Sequence, residues 1–96
     1  MRIPKRIKIA GHSYKVKFKP NLYRDNDAAG RSNANKCTID LDPTGSESHQ
    51  CEILLHEIVE QINYRFELNL SHDKISILGA SFWQVLNDNP DLLLGV

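Results

Sequence analysis

The stretch CEILLHEIVEQIN, residues 51–63, sets His56, Glu57 and Glu60 inside an otherwise apolar run. At about 100° per residue on a helix, Cys51, Leu54, Leu55, Ile58, Val59, Ile62 and Phe66 fall into one stripe. His56 and Glu60 lie one turn apart, roughly 120–160° from the centre of that stripe, and converge on one point. Glu57 stands about 100° round from His56. The segment is therefore predicted to be an amphipathic helix with an apolar back and a polar front, lying across the floor of a cleft. Thr44 and Glu47 have capping-box spacing, which starts the helix within a residue or two of Ser46. Its end is expected near Phe66.

The segments before this helix read as strands. KRIKIA (5–10) and SYKVKFK (13–19) alternate apolar and basic residues, the period of a strand with one buried face. Gly11-His12 between them suits a two-residue hairpin turn. Ile7, Ile9, Tyr14, Val16 and Phe18 are expected to point inward, with the lysines outward. Residues 20–35 are polar and rich in Asn, Asp and Gly, and read as a loop. KCTIDLD (36–42) alternates again and is expected to form a third strand ending at Asp42-Pro43.

After the motif helix, Ser71 is placed to cap a second one, and Ile75, Leu78, Phe82, Val85 and Leu86 keep helical spacing. Gly79 and Ala80 would allow close helix approach, at a cost of about 1 kcal/mol of helix propensity for the glycine. Asn89-Pro90 stops this helix, and Trp83 reads as packing. The predicted fold class is α+β: a small antiparallel sheet, made of the N-terminal hairpin plus a third strand, followed by two helices. It occupies one domain, residues 1–96.

Composition narrows the function classes. The chain has 96 residues, 41% of them hydrophobic and 25% charged, as expected of one small globular domain. No apolar run reaches membrane-spanning length and the N-terminus lacks the apolar core of a signal peptide, so a cytoplasmic location and no membrane partner are expected. Two cysteines, Cys37 and Cys51, are too few for a disulfide framework. Net charge is zero, yet residues 1–24 hold eight of the 12 basic residues and none of the 12 acidic ones. A basic hairpin suits nucleic acid or an acidic partner, or else a solvated sheet face whose lysines discourage edge pairing. The second reading is preferred, because the aromatic residues Tyr14 and Phe18 fall on the opposite face and none shares the face of the lysines.

The chemistry lies in His56-Glu57-Ile58-Val59-Glu60. The zinc peptidase motif H-E-x-x-H uses two histidines one turn apart as ligands and the intervening glutamate as general base. In this chain the first ligand, His56, and the base, Glu57, are in place, and the second ligand position holds Glu60. Zinc accepts carboxylate oxygen as well as imidazole. His72 is the best candidate for a third ligand. It reaches the site only if the linker 67–70 doubles back along the first helix; a bare tight turn would leave it about one turn short. The competing readings are a solvated polar helix face, and a different zinc set of His49, Cys51 and Cys37 with His56, which lacks paired-cysteine spacing. Strand 36–42, if it lies at the sheet edge, would hold an extended peptide by strand addition.

LLHEIVEQIN, the following LNLSHDKI and FWQVLNDNP near the end together resemble the very small zincin-type metallopeptidase-like proteins encoded by phages and prophages. The resemblance covers nearly the whole chain. It implies a zincin-like fold with a short sheet, a motif helix and a second helix carrying the last ligand. It implies zinc bound by His56, with Glu57 as base and His72 as a late ligand, and, if the chain is phage-encoded, action in a bacterial cytoplasm. The departure is Glu60, where the common motif has histidine. Two function classes follow: a zinc metallopeptidase acting on a peptide or protein, and a non-catalytic module on the same scaffold that binds a protein or nucleic acid through its basic hairpin.

Overall fold

The computed structural model describes residues 2–94. The first alternating segments form β1 (Arg6–Ile9) and β2 (His12–Phe18), paired antiparallel with Ile9 opposite His12. Their turn falls one residue earlier than expected, on Ala10 and Gly11, both with positive φ (52° and 83°). Two such residues are what a type I′ hairpin turn needs. Ile9, Tyr14 and Val16 are buried, and Lys8, Lys15, Lys17 and Lys19 are exposed, as the alternation predicts. Phe18 departs from it: at the end of β2 it is 46% exposed.

The polar segment 20–35 is not a loop throughout. It holds a short helix α1 (Leu22–Asn26), whose Leu22 is fully buried, and a strand β3 (Gly30–Asn33). β3 pairs antiparallel with β4 (Thr38–Leu41), and β4 in turn lies parallel to β2. The sheet has four strands in the order β1-β2-β4-β3 and is mixed, not antiparallel. The physical reason is one extra reversal: β3 turns the chain once more before β4, so β4 runs with β2 instead of against it. β4 is therefore an interior strand. The predicted peptide-binding edge at 36–42 is corrected accordingly, and the edge beside the motif helix is β3.

Helix α2 (Glu47–Arg65) begins at Ser46, whose side chain accepts from the His49 amide, close to where the capping residues place it. It packs Cys51 and Leu54 inward, with Ile53, Ile58 and Ile62 partly buried on the sheet core of Ile9, Tyr14, Val16, Ile39 and Leu41. α3 (His72–Asp88) is capped by Ser71, which accepts from the Lys74 amide, and stops before Asn89-Pro90. A four-residue turn, α4 (Asp91–Leu94), follows. Among the described residues no helix is long and apolar enough to cross a membrane.

Two glycines set the spacing around α2. A Cβ at Gly79 would meet the backbone Cα of His56 at 2.9 Å, so its absence lets α3 lie directly on the motif. A Cβ at Gly30 would meet the Ile53 side chain at 2.5 Å, so β3 also approaches α2 more closely than a larger residue allows.

Candidate metal centre

His72 reaches the motif because the linker reverses over the last turn of α2. Glu67 and Asn69 both take the left-handed conformation (φ 51° and 58°). The amide of Leu68 donates to the Asn63 carbonyl at 3.1 Å, and that of Leu70 donates to Asn63 Oδ1 at 2.8 Å. Asn63 thus satisfies the backbone of a chain doubling back on its own helix. Leu68 is 51% exposed, so the Asn63 side chain, not apolar packing of that leucine, holds the linker here.

The reversal puts the first residue of α3 opposite His56. The two imidazoles lie edge to face, with ring centroids 5.4 Å apart and planes at 67°. One ligand atom from each of His56, Glu60 and His72 can be chosen so that all lie within 4.8 Å of one another. Bonds of about 2.0–2.1 Å to a tetrahedral ion would bring donor atoms to about 3.3 Å apart, so small side-chain rotations close the set. Two imidazoles and one carboxylate are a recognised zinc ligand set that leaves a fourth position open. Burial pushes the His56 pKa down, against the opposing pull of Glu60, and the proximity of His72 adds to the lowering. His56 is thereby kept in the neutral form that binds metal.

Glu57 is placed differently from the wheel reading. Instead of joining a polar front it turns toward β3 and is only 6% exposed. There its Oε1 accepts a 2.8 Å hydrogen bond from the Ser32 hydroxyl. Burial raises its carboxyl pKa to about 7; the Ser32 bond lowers it, Glu60 raises it and His72 lowers it by lesser amounts. A carboxylate poised near neutrality beside candidate metal ligands has the properties of a general base.

Glu57 also lines a cleft of about 500 Å³ together with His56, His72, Ser76 and residues 27–30 at the entry to β3. Glu60 lines a second depression of about 470 Å³, walled by residues 32–35 and Gln61. Both lie on the seam between α2 and the edge strand, the first reaching β3 at Gly30 and the second at Ser32 and Asn33.

Behind Glu57 lies a set of polar residues of which the alternation of β2 had marked only Tyr14, as an inward side chain. Gln61 Nε2 donates to the Ser32 hydroxyl at 2.8 Å, Tyr14 donates to Gln61 Oε1 at 2.5 Å, and Arg65 Nε donates to the Tyr14 hydroxyl at 2.9 Å. Gln61 is 6% exposed and Tyr14 not at all. One signal was available: Glu57, Gln61 and Arg65 repeat every four residues on one face of α2. The alternative set fares otherwise. Cys51 is buried, Cys37 contacts Arg65, and His49 lies within 3.9 Å of Glu52; the metal-competent cluster among the described residues is His56, Glu60 and His72.

Comparison with protein families, with curated proteins and with solved structures found no match for this chain.

Proposed function

We propose that this protein is a minimal zinc-dependent metallopeptidase. The observation that carries the reading is the convergence of His56, Glu60 and His72 beside a buried carboxylate, Glu57, held by a hydrogen bond. Zinc bound there would supply a Lewis acid that acidifies water and polarises a peptide carbonyl. Glu57 would take a proton from the attacking water and deliver it to the leaving amine, a role suited to a carboxyl near pKa 7. The edge of β3 would receive the substrate as an added extended strand, because β3 borders both depressions at the site. Glu60 brings a negative charge to the ligand set, as the glutamate does in known two-histidine, one-glutamate sites.

Glu57→Gln tests the assignment of roles. Cleavage of an unstructured protein substrate should fall by a factor on the order of 10² to 10⁴, while zinc content measured by elemental analysis stays unchanged. His56→Ala should lose both. Loss of zinc from Glu57→Gln would show that Glu57 is a ligand and not the base.

One observation favours a second reading, the non-catalytic binding module. β3 and β4 bring Arg31 and Lys36 beside Lys17 and Lys19, around a depression of about 400 Å³. Asp40 also lines it and pairs with Arg31 at 3.1 Å, which leaves Lys17, Lys19 and Lys36 as the cations there that suit an anionic partner such as nucleic acid. In that reading, Glu57→Gln leaves the biological effect intact.

A further inference from the structure

We propose that Arg65, Tyr14, Gln61 and Ser32 form one polarised hydrogen-bond chain whose task is to position Glu57, an inference that rests on the metallopeptidase reading above. The chain has a single sense. Arg65 donates to Tyr14, Tyr14 to Gln61, Gln61 to Ser32 and Ser32 to Glu57 Oε1. Each hydroxyl accepts one bond and donates the next, and the amide of Gln61 accepts at oxygen and donates at nitrogen. Every donor therefore points toward the carboxylate, with a guanidinium at the far end, an alignment in which neighbouring bonds strengthen one another.

The far end is anchored independently. Arg65 Nη2 donates to the Ala34 carbonyl at 2.8 Å and lies 3.4 Å from Cys37 Sγ, and its guanidinium sits 5.5 Å from the centre of the Tyr14 ring. The chain thus ties β2, the edge strand β3 and α2 together and ends on one oxygen of one carboxylate. The Ser32 bond fixes the orientation of the Glu57 carboxylate at the wall of the cleft that it lines.

Stability alone gives little reason for such a chain. Replacing both partners of a buried hydrogen bond with apolar groups of the same shape is often nearly neutral, so Phe and Met would have filled these positions. Proton conduction is not its role either, since the Gln61 amide is a poor relay. Ser32 and Gln61 are positioning residues: they hold the base where an unanchored glutamate would turn.

Acetohydroxamate tests this without a known substrate. It chelates zinc through two oxygens and presents hydrogen-bond donors to a neighbouring carboxylate. Calorimetry on the zinc-loaded protein should show Glu57→Gln binding it about tenfold more weakly than wild type, the size of one charge-assisted hydrogen bond. Ser32→Ala should lose a similar factor in the wild-type background. In the Glu57→Gln background the same substitution should change affinity by less than about twofold, because the two changes remove one interaction. Ser32→Thr, which keeps the hydroxyl, should retain wild-type affinity. Gln61→Met should behave as Ser32→Ala does, and it carries the test if the serine variant fails to fold.

Losses that add across the two backgrounds would overturn the proposal, as would equal affinity in wild type and Glu57→Gln. Absence of zinc from the wild-type protein would instead bring down the metallopeptidase reading, and this inference with it. Zinc uptake with additive losses brings down this inference alone.

Discussion

Zinc at about one hundred times its dissociation constant should stabilise the wild-type protein by about 2.7 kcal/mol, because an ion that binds only the folded state shifts unfolding by mass action. For a domain of this size that is a rise in melting temperature of roughly 10–20 °C. The ion would add a tie between two helices that already pack along each other, most closely where Gly79 lies on the His56 backbone. His72→Ala removes one ligand at the exposed start of α3 and should abolish the response while leaving the metal-free melting temperature within a few degrees, as expected for a surface position. Acid should abolish it as well, since protonated histidines cannot bind zinc. A wild-type protein whose melting curve is unmoved by zinc at neutral pH would count against the site.

The second large effect is on the metal-free protein and runs in the opposite direction from most point substitutions. Glu57→Gln should raise stability at pH 8 by roughly 3 kcal/mol and leave it unchanged near pH 4.5. The sign follows from the raised carboxyl. Folded Glu57 holds its proton up to about pH 7, whereas the unfolded side chain loses it near its ordinary value of 4.5. Between those limits the folded state binds more protons than the unfolded one, so stability declines as pH rises through the window. Burying a carboxylate is the physical cost, and glutamine does not incur it. The depressed His56 pKa works the other way, lowering stability on acidification below about 6.5, but both proteins share it and the difference between their curves isolates Glu57. Urea unfolding at intervals from pH 4.5 to 8 measures that difference. Parallel curves would mean that Glu57 is solvated rather than buried.

The sequence made some of this structure legible and hid the rest for identifiable reasons. The hairpin, β4, α2 and α3 were readable because each buries an apolar face at its own period, and Ser46 and Ser71 mark the helix starts. The grouping of His56 with Glu60 was readable because residues four apart share a helix face, and that of His72 because a linker doubling back over 67–70 brings the start of α3 to them. β3 was not: its inward positions are Gly30 and Ser32, which carry no apolar side chain. Both are small where β3 lies tightly on α2: a Cβ at Gly30 would clash with Ile53, and the Ser32 hydroxyl donates to Glu57. Missing β3 also concealed the parallel pairing of β2 with β4 and made an interior strand look like an edge. The burial of Glu57 was hidden because a wheel places a residue by angle alone, and only the close approach of β3 covers that face. The fold-back of the linker rests on two non-glycine residues in the left-handed conformation, which local propensity disfavours; the Asn63 hydrogen bonds hold the segment there.

The central claim is that His56, Glu60 and His72 hold one zinc ion in a site with an open position. Diffraction data collected on either side of the zinc absorption edge, from crystals of wild-type protein purified with zinc, test it directly. The expected result is one anomalous peak per chain about 2.0–2.2 Å from a nitrogen of His56, a nitrogen of His72 and an oxygen of Glu60, with Glu57 beyond bonding distance. A peak at His49 and the cysteines, or no peak with His72 turned away from His56, would contradict it.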